Sequence, residues 1–298
     1  MTGKKKNAPA EYYPSALTIA GSDSGGGAGI QADLRTFNAL GVYGCTAITA
    51  VTSQNPEAVS AIETMPASCV TSQIEAVMAK IAVRTVKTGM LGSVENVEAV
   101  IKAAKKYNFK PVCDPVMIST SGRKLQSDAA LDKTVKELFP LARWITPNIP
   151  DSAFSLGRNL AAPAEFAQGA LELAEKFKTN VFLKGGHDEK NKESVDYICC
   201  KGKVWCLSSP RIQLPPTASH GTGCTLAAAL AALTALEFPW EEVVVAAKSF
   251  VLGSLRENVE IGKDVFGMYP PMEDASAFVD LYEYKNGGAT KGKLKKKA

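Results

Sequence analysis

Residues 16–55 read ALTIAGSDSGGGAGIQADLRTFNALGVYGCTAITAVTSQN, and this stretch decides the fold class. SALTIAG, starting at Ser15, reads as a strand ending in glycine. After SDSGGGAG, the apolar residues Ile30, Leu34, Phe37 and Leu40 recur at helical spacing, and Gly41 closes the helix. CTAITAVTS is a second strand. A strand, a glycine-rich turn, a helix and another strand make a βαβ unit, which pairs its strands in parallel.

The alternation continues outward. VSAIETM is a short edge strand, Ile74, Val77 and Ile81 mark a helix, and VRTVKTGMLGS runs from strand into loop. Helices are expected over 93–107, 127–139, 163–178 and 240–258, with strands at PVCDPV, RWITPN and NVFLKGG. SVDYICC and KVWCLSS pair across KGK as a hairpin. The helix after Cys224 is apolar all round and is expected to be buried on every side. No repeat of fixed period occurs, and beyond about residue 259 the periodicity fades, so GMYPPMEDASAFVDLYEY receives no assignment. The pattern predicts an α/β fold with a mostly parallel sheet and helices on both faces.

Composition excludes several classes. With 298 residues, 46% apolar and 21% charged, the chain has the make-up of a soluble globular protein. No run approaches eighteen apolar residues, so no membrane span is expected. No apolar segment follows the lysines at 4–6, so no secretory leader is expected and the cytoplasm is the expected compartment. The net charge of +4 misleads: three lysines at 4–6 and six within 285–298 carry nine positive charges, leaving the body between them at −5. Those tails have a disordered composition and read as solvated arms rather than a nucleic-acid contact, because no aromatics interleave the lysines. The seven cysteines show no C-x-x-C spacing and only two histidines exist, His187 and His220, so neither structural zinc nor a disulfide framework is expected.

Open parallel sheets bind ligands at the carboxyl ends of their strands, and the unusual residues fall there. Ser22, Asp23 and Gly25–Gly27 follow the first strand, Gln54 and Asn55 the second. Asp114, then Asn148 and Asp151, then Lys184 follow later strands. The glycine-rich loop fits neither the dinucleotide fingerprint nor the phosphate-loop template, since Ile30 stands at the third fingerprint position and no Gly-Lys-Ser/Thr follows. HGTGC, residues 220–224, has two readings on its residues alone. Consecutive N–H groups at a helix start could cradle a transferring phosphoryl group while the same field lowers the Cys224 pKa. Alternatively, a glycine turn enters a core helix and Cys224 is packing.

The ordered motifs of residues 16–55, KTGML, CDPVM, TPNIPDS, LKGGH and SHGTGCTLAAALAAL resemble the hydroxymethylpyrimidine and phosphomethylpyrimidine kinases of the ribokinase-like superfamily. The resemblance spans about residues 16–258. It implies a three-layer α/β/α domain over 15–260, between a basic tail at 1–14 and an extension of uncertain structure at 261–284 that leads into the lysine-rich tail at 285–298. It implies ATP- and Mg²⁺-dependent phosphorylation of 4-amino-5-hydroxymethyl-2-methylpyrimidine, then of its monophosphate to the pyrophosphate, in thiamine biosynthesis. The implied assembly is a homodimer, with a small pyrimidine as partner and neither nucleic acid nor membrane.

By motif position, the resemblance makes Cys224 the acceptor of the substrate hydroxyl proton, and Gly221, Thr222 and Gly223 the phosphoryl cradle. Gln54 would read the pyrimidine, because one amide offers a donor and an acceptor to an exocyclic amine beside a ring nitrogen. Gly21, Asp23 and Ala28 would shape the pocket, with Met90 and Val116 as apolar walls. Lys184, Asn148 and Thr222 would serve the nucleotide, and Asp114 and Asp151 would hold Mg²⁺ through waters. The sequence departs from the family pattern at Asp151, where glutamate is usual, and at Thr88, where isoleucine is commoner. Two rivals remain: a pyridoxal or pyridoxine kinase of the same superfamily, and a catalytically silent kinase fold that binds a ligand or nucleic acid.

Overall fold

The computed structural model describes residues 12–117, 126–186, 192–285 and 288–289. The lysines at 4–6, His187 and all but the first of the C-terminal lysines lie outside the described residues.

The opening stretch folds as β1 (Ser15–Asp23), α1 (Gly29–Ala39) and β2 (Tyr43–Gln54), with β1 and β2 parallel. An antiparallel edge strand β3 (Val59–Thr64) and helix α2 (Ala67–Met78) follow. The chain then adds β4 (Thr85–Thr88), α3 (Val94–Tyr107), β5 (Val112–Cys113), α4 (Asp128–Lys133), β6 (Trp144–Ile145), α5 (Ile149–Leu156), α6 (Pro163–Phe177) and β7 (Asn180–Leu183). The expected hairpin is β8 (Glu193–Cys200) and β9 (Lys203–Pro210), and the sequence closes through α7 (Thr222–Ala235) and α8 (Trp240–Arg256).

Strand order in the main sheet centres on β7-β6-β5-β4-β1-β2, all parallel, with antiparallel strands added at both edges. Side chains alternate across this sheet with period two. Leu17, Ile19, Val86, Cys113, Ile145, Val181 and Leu183 pack against α2, α3 and α6, while Ala16, Val112, Trp144 and Phe182 pack against α1, α7 and α8. Both faces are covered, which is why the central strands are apolar at successive positions. Thr225 to Ala235 of α7 are all buried, as the all-round apolar pattern required. No described helix is long and apolar enough to cross a membrane.

Two segments differ from the sequence expectation. The helix expected over 127–139 is α only to Lys133, continues as a π-helical turn over Thr134–Leu138 and ends as 3₁₀ at Phe139–Leu141. Pro140 is the physical reason: it has no N–H for the carbonyl four residues back, so the α-helical ladder cannot continue. The unassigned C-terminal segment contains a small hairpin, β10 (Val259–Gly262) with β11 (Val265–Gly267), and then β12 (Asp280–Lys285). β12 joins the main sheet antiparallel to β9 and pairs on its other side with β13 (Gly288–Ala289).

Candidate active site

The chain leaves β1 toward β2 on one side and returns as β4 on the other, so the strand order reverses beside β1. A crevice opens at such a switch point, outside the carboxyl ends of the strands. Here it is a cavity of about 60 Å³ lined by Gly21, Asp23, Ala28, Gln54, Met90, Val116 and Cys224, together with Thr52 and Lys87. All six residues expected to bind substrate and the expected proton acceptor therefore share one wall-to-wall space. A larger cavity of about 340 Å³ lies elsewhere, around Arg143, Lys178 and the β8–β9 turn, and contains none of the expected site residues.

Asp23 organises the glycine-rich turn. Its carboxylate accepts the Gly25 N–H at 2.8 Å and the Ala28 N–H at 2.7 Å, and lies 2.9 Å from His220 Nε2. Burial works against its charge, but His220 and the two backbone donors outweigh that and hold the carboxyl below the usual value. The second turn docks directly on the first: Gly221 has φ +84°, and a Cβ there would overlap the Gly27 carbonyl. Met90 fills the space in front of Gly21, where a Cβ would press on its methyl group.

Cys224 lies in the first turn of α7, half-buried, and accepts a hydrogen bond from the Gly29 N–H at the start of α1. The helix field was expected to lower its pKa. Instead burial pushes the thiol up to about 11; Lys87 and the Gly29 N–H pull it down, and Asp33 and Asp114 add to the rise. The sulfur is surrounded by too little water and too many carboxylates for two helix starts to compensate.

Lys87 was not singled out from the sequence. It is fully buried on β4, with its Nζ 2.8 Å from Asp33 Oδ2 on α1, and Thr18 Oγ1 donates to the same oxygen at 2.6 Å. Burial raises the Asp33 carboxyl and opposes the Lys87 charge, yet Asp33, Cys224 and Asp114 hold the ammonium above its ordinary value. The short contact and the extra donor on Asp33 identify an ionised pair. The signal was legible: a lysine inside an apolar strand run, and an aspartate on the buried Ile30–Phe37 face of α1.

On the other side of Cys224, Lys184 Nζ lies 2.9 Å from Asp114 Oδ1 and close above Gly223. Asn148 caps α5, and Asp151 accepts the Asn148 N–H in return, so both side chains hold a helix start. Burial pushes the Asp151 carboxyl up to about 6, against the pull of Lys184. No side chain among the described residues caps α7; the Thr222 N–H donates to the Ser219 carbonyl at 3.3 Å, and the Gly223 and Cys224 N–H groups that follow belong to the uncapped first turn, the part of a helix that attracts an anion. Thr222 turns its hydroxyl back to the Ser219 carbonyl at 3.0 Å.

The family model described as phosphomethylpyrimidine kinase matches residues 23–269. The chain belongs to the phosphomethylpyrimidine kinase family. The hydroxymethylpyrimidine/phosphomethylpyrimidine kinase of Rhizobium meliloti is 42% identical over 251 residues, covering 83% of this chain and 93% of the relative. The solved phosphomethylpyrimidine kinase from Clostridium difficile 630 has a TM-score of 0.70 at 38% identity, over 80% of this chain and 97% of that one. The Staphylococcus aureus pyridoxal kinase, solved with AMP-PCP and pyridoxal, has a TM-score of 0.82 at 28% identity, over 92% and 100%. This kinase is therefore an α/β phosphotransferase with ribokinase-like neighbours.

His220 is the second residue that sequence reasoning passed over, although it opens HGTGC. It is 5% exposed and fills the space above Gly27, where any Cβ would overlap its ring. Its Nε2 faces both Asp23 and, at 3.3 Å, the Gln54 amide.

Proposed function

We propose that the chain transfers the γ-phosphoryl group of ATP to the hydroxymethyl oxygen of 4-amino-5-hydroxymethyl-2-methylpyrimidine, and then phosphorylates the monophosphate, in thiamine biosynthesis. The observation that carries this is the shared cavity of Gln54 and Cys224 at the switch point, together with family membership.

In this reading Gln54 holds the ring edge, while Met90 and Val116 flank its faces. Gly21, Asp23 and Ala28 wall the hydroxymethyl end. Gly221, Thr222 and Gly223 cradle the transferring group at the start of α7, and Lys184 meets the nucleotide phosphates as a point charge. Asn148 supports that side by holding α5 in place. Cys224 takes the hydroxyl proton as thiolate. With a pKa near 11 the thiolate is scarce but strongly basic, and Lys87 and the Gly29 N–H favour its formation. The alcohol keeps its proton until late in a loose phosphoryl-transfer transition state, so a scarce base is sufficient.

Mg²⁺ fits the donors present. Asp114 and Asp151, whose charges both act on Lys184, supply hard oxygens, and phosphate oxygens and water would complete a magnesium shell. Magnesium, when bound, would neutralise charge on the phosphates. The compartment proposed is the cytoplasm and the assembly a homodimer.

A pyridoxal kinase is the second reading, favoured by the TM-score of 0.82 to the Staphylococcus aureus enzyme. Measuring ATP consumption with the aminopyrimidine alcohol, its monophosphate and pyridoxal side by side decides between them. A higher kcat/KM for the aminopyrimidine is expected, and a substantially higher value for pyridoxal overturns the assignment.

A further inference from the structure

The donors and acceptors around Gln54 do not match the two ends of its amide. The Asp23 carboxylate can only accept, and it already accepts from Gly25 and Ala28. The proton between Asp23 and His220, 2.9 Å apart, therefore belongs to Nε2 of the imidazole. That nitrogen then has no lone pair for the Gln54 Nε2, which stands 3.3 Å away, so two N–H groups face each other. At its other end, Gln54 Oε1 lies 3.4 Å from Thr52 Oγ1. The single hydroxyl hydrogen of Thr52 is already donated to the Ser22 carbonyl at 2.9 Å. Both ends of the amide are mismatched, and a half-turn about its last bond corrects both together. The amide oxygen then shares the imidazole N–H with the Asp23 carboxylate as the longer arm of a three-centre bond, and the amide nitrogen donates to the Thr52 hydroxyl oxygen.

We propose that His220, opposed by Thr52, fixes the orientation of the Gln54 amide and thereby determines which donor–acceptor pattern on a ring the site accepts. His220 is a positioning residue that acts through Gln54, and the inference rests on the function proposed above. Held in this way, the amide presents an oxygen on the histidine side and an N–H on the threonine side. A ring with an exocyclic amine beside an unprotonated ring nitrogen meets that pattern, amine to oxygen and ring nitrogen to N–H. A ring with a carbonyl beside a ring N–H has the opposite pattern. To accept it the amide must turn over, which sets its N–H groups against the imidazole N–H and leaves its oxygen facing a hydroxyl whose hydrogen is donated elsewhere. Pyridoxal, with an aldehyde oxygen next to its hydroxymethyl carbon and a phenol beyond, likewise presents its acceptor where the amine would be.

The test compares two substrates that differ only in this polarity: 4-amino-5-hydroxymethyl-2-methylpyrimidine and its 4-oxo analogue, which carries a hydrogen on the ring nitrogen. The wild-type chain should favour the amine in kcat/KM by roughly 10³ or more, as a site built to hydrogen-bond its substrate rejects a mismatched one. His220→Phe keeps a ring above Gly27 but loses the donor, and should lower that ratio at least about 10-fold. His220→Gln can still donate toward both partners and should keep the ratio within about threefold of wild type. Thr52→Val, at the other anchor, should lower the ratio in the same direction.

A ratio in His220→Phe that matches wild type overturns the proposal, as does a His220→Gln ratio that falls as far as the phenylalanine variant's. Should His220→Phe not fold, an unchanged ratio in Thr52→Val overturns it. If the wild-type chain turns over neither ring, the proposed function fails, and calorimetric binding of the two rings to the same proteins then reads the ratio in its place.

Discussion

At the residue scale, the site is a set of buried charges whose neighbours decide their state. Cys224 has Lys87 and the Gly29 N–H on one side and Asp33 and Asp114 on the other, within a desolvated pocket, and the outcome is a protonated thiol at neutral pH. Its alkylation by iodoacetamide in the ligand-free protein, followed by peptide mass mapping, should therefore quicken about tenfold per pH unit between pH 8 and 10. A plateau below pH 8 would mean the thiol ionises far more easily. Cys224→Ala should lower kcat by roughly 10²–10⁴ with the melting temperature little changed, and steady-state kinetics on the aminopyrimidine checks this. Lys87→Met leaves Asp33 charged and unpaired in the core, and should cost about 3–5 kcal/mol in denaturant unfolding. Replacing Lys87 and Asp33 together by methionine and leucine should recover much of that loss.

At the scale of elements, helix starts do most of the positioning. Asn148 and Asp151 close the first turn of α5 reciprocally, the Asp151 carboxylate accepting the Asn148 N–H at 3.0 Å. The same burial pushes its carboxyl up to about 6 from an unfolded value near 3.8. A raised folded-state pKa means that the folded protein holds this proton more tightly than the unfolded chain. The penalty is thus fully present above pH 6 and is relieved as pH falls toward 4. It is on the order of 3 kcal/mol for a shift of this size. Asp151→Asn keeps an acceptor for the cap and should remove that pH-dependent limb in apo unfolding measured from pH 7 to 4.5. The glycine turn before α7 was readable from the sequence. That it rests on the Gly27 carbonyl was not, because nothing local joins residues 27 and 221.

At the scale of the whole molecule, the site has two ends on different loops, and ligand linkage can tell them apart. A nucleotide analogue at 100 times its Kd should stabilise the fold by about 2.7 kcal/mol, and the aminopyrimidine should add a further increment. In thermal unfolding, Gln54→Ala should lose the aminopyrimidine increment and keep the nucleotide one. Loss of both would place Gln54 in a structural role instead. The larger cavity beside Arg143 has no part in this linkage, since it lies away from all of these loops.

Local periodicity and turn chemistry determined by themselves the βαβ alternation, the buried α7 and the loop positions of the unusual residues, because each of these is written within ten to twenty consecutive residues. The motifs singled out the residues that line the switch-point cavity. Tertiary structure alone decided the rest. β12 finds its place only through β9, some seventy residues earlier. The Lys87–Asp33 pair and the contact of His220 with Gln54 join side chains 54 and 166 positions apart. The Cys224 pKa is set by burial and by charges on β4, on α1 and on the loop after β5, and desolvation is a property of the packed molecule that no window of sequence contains.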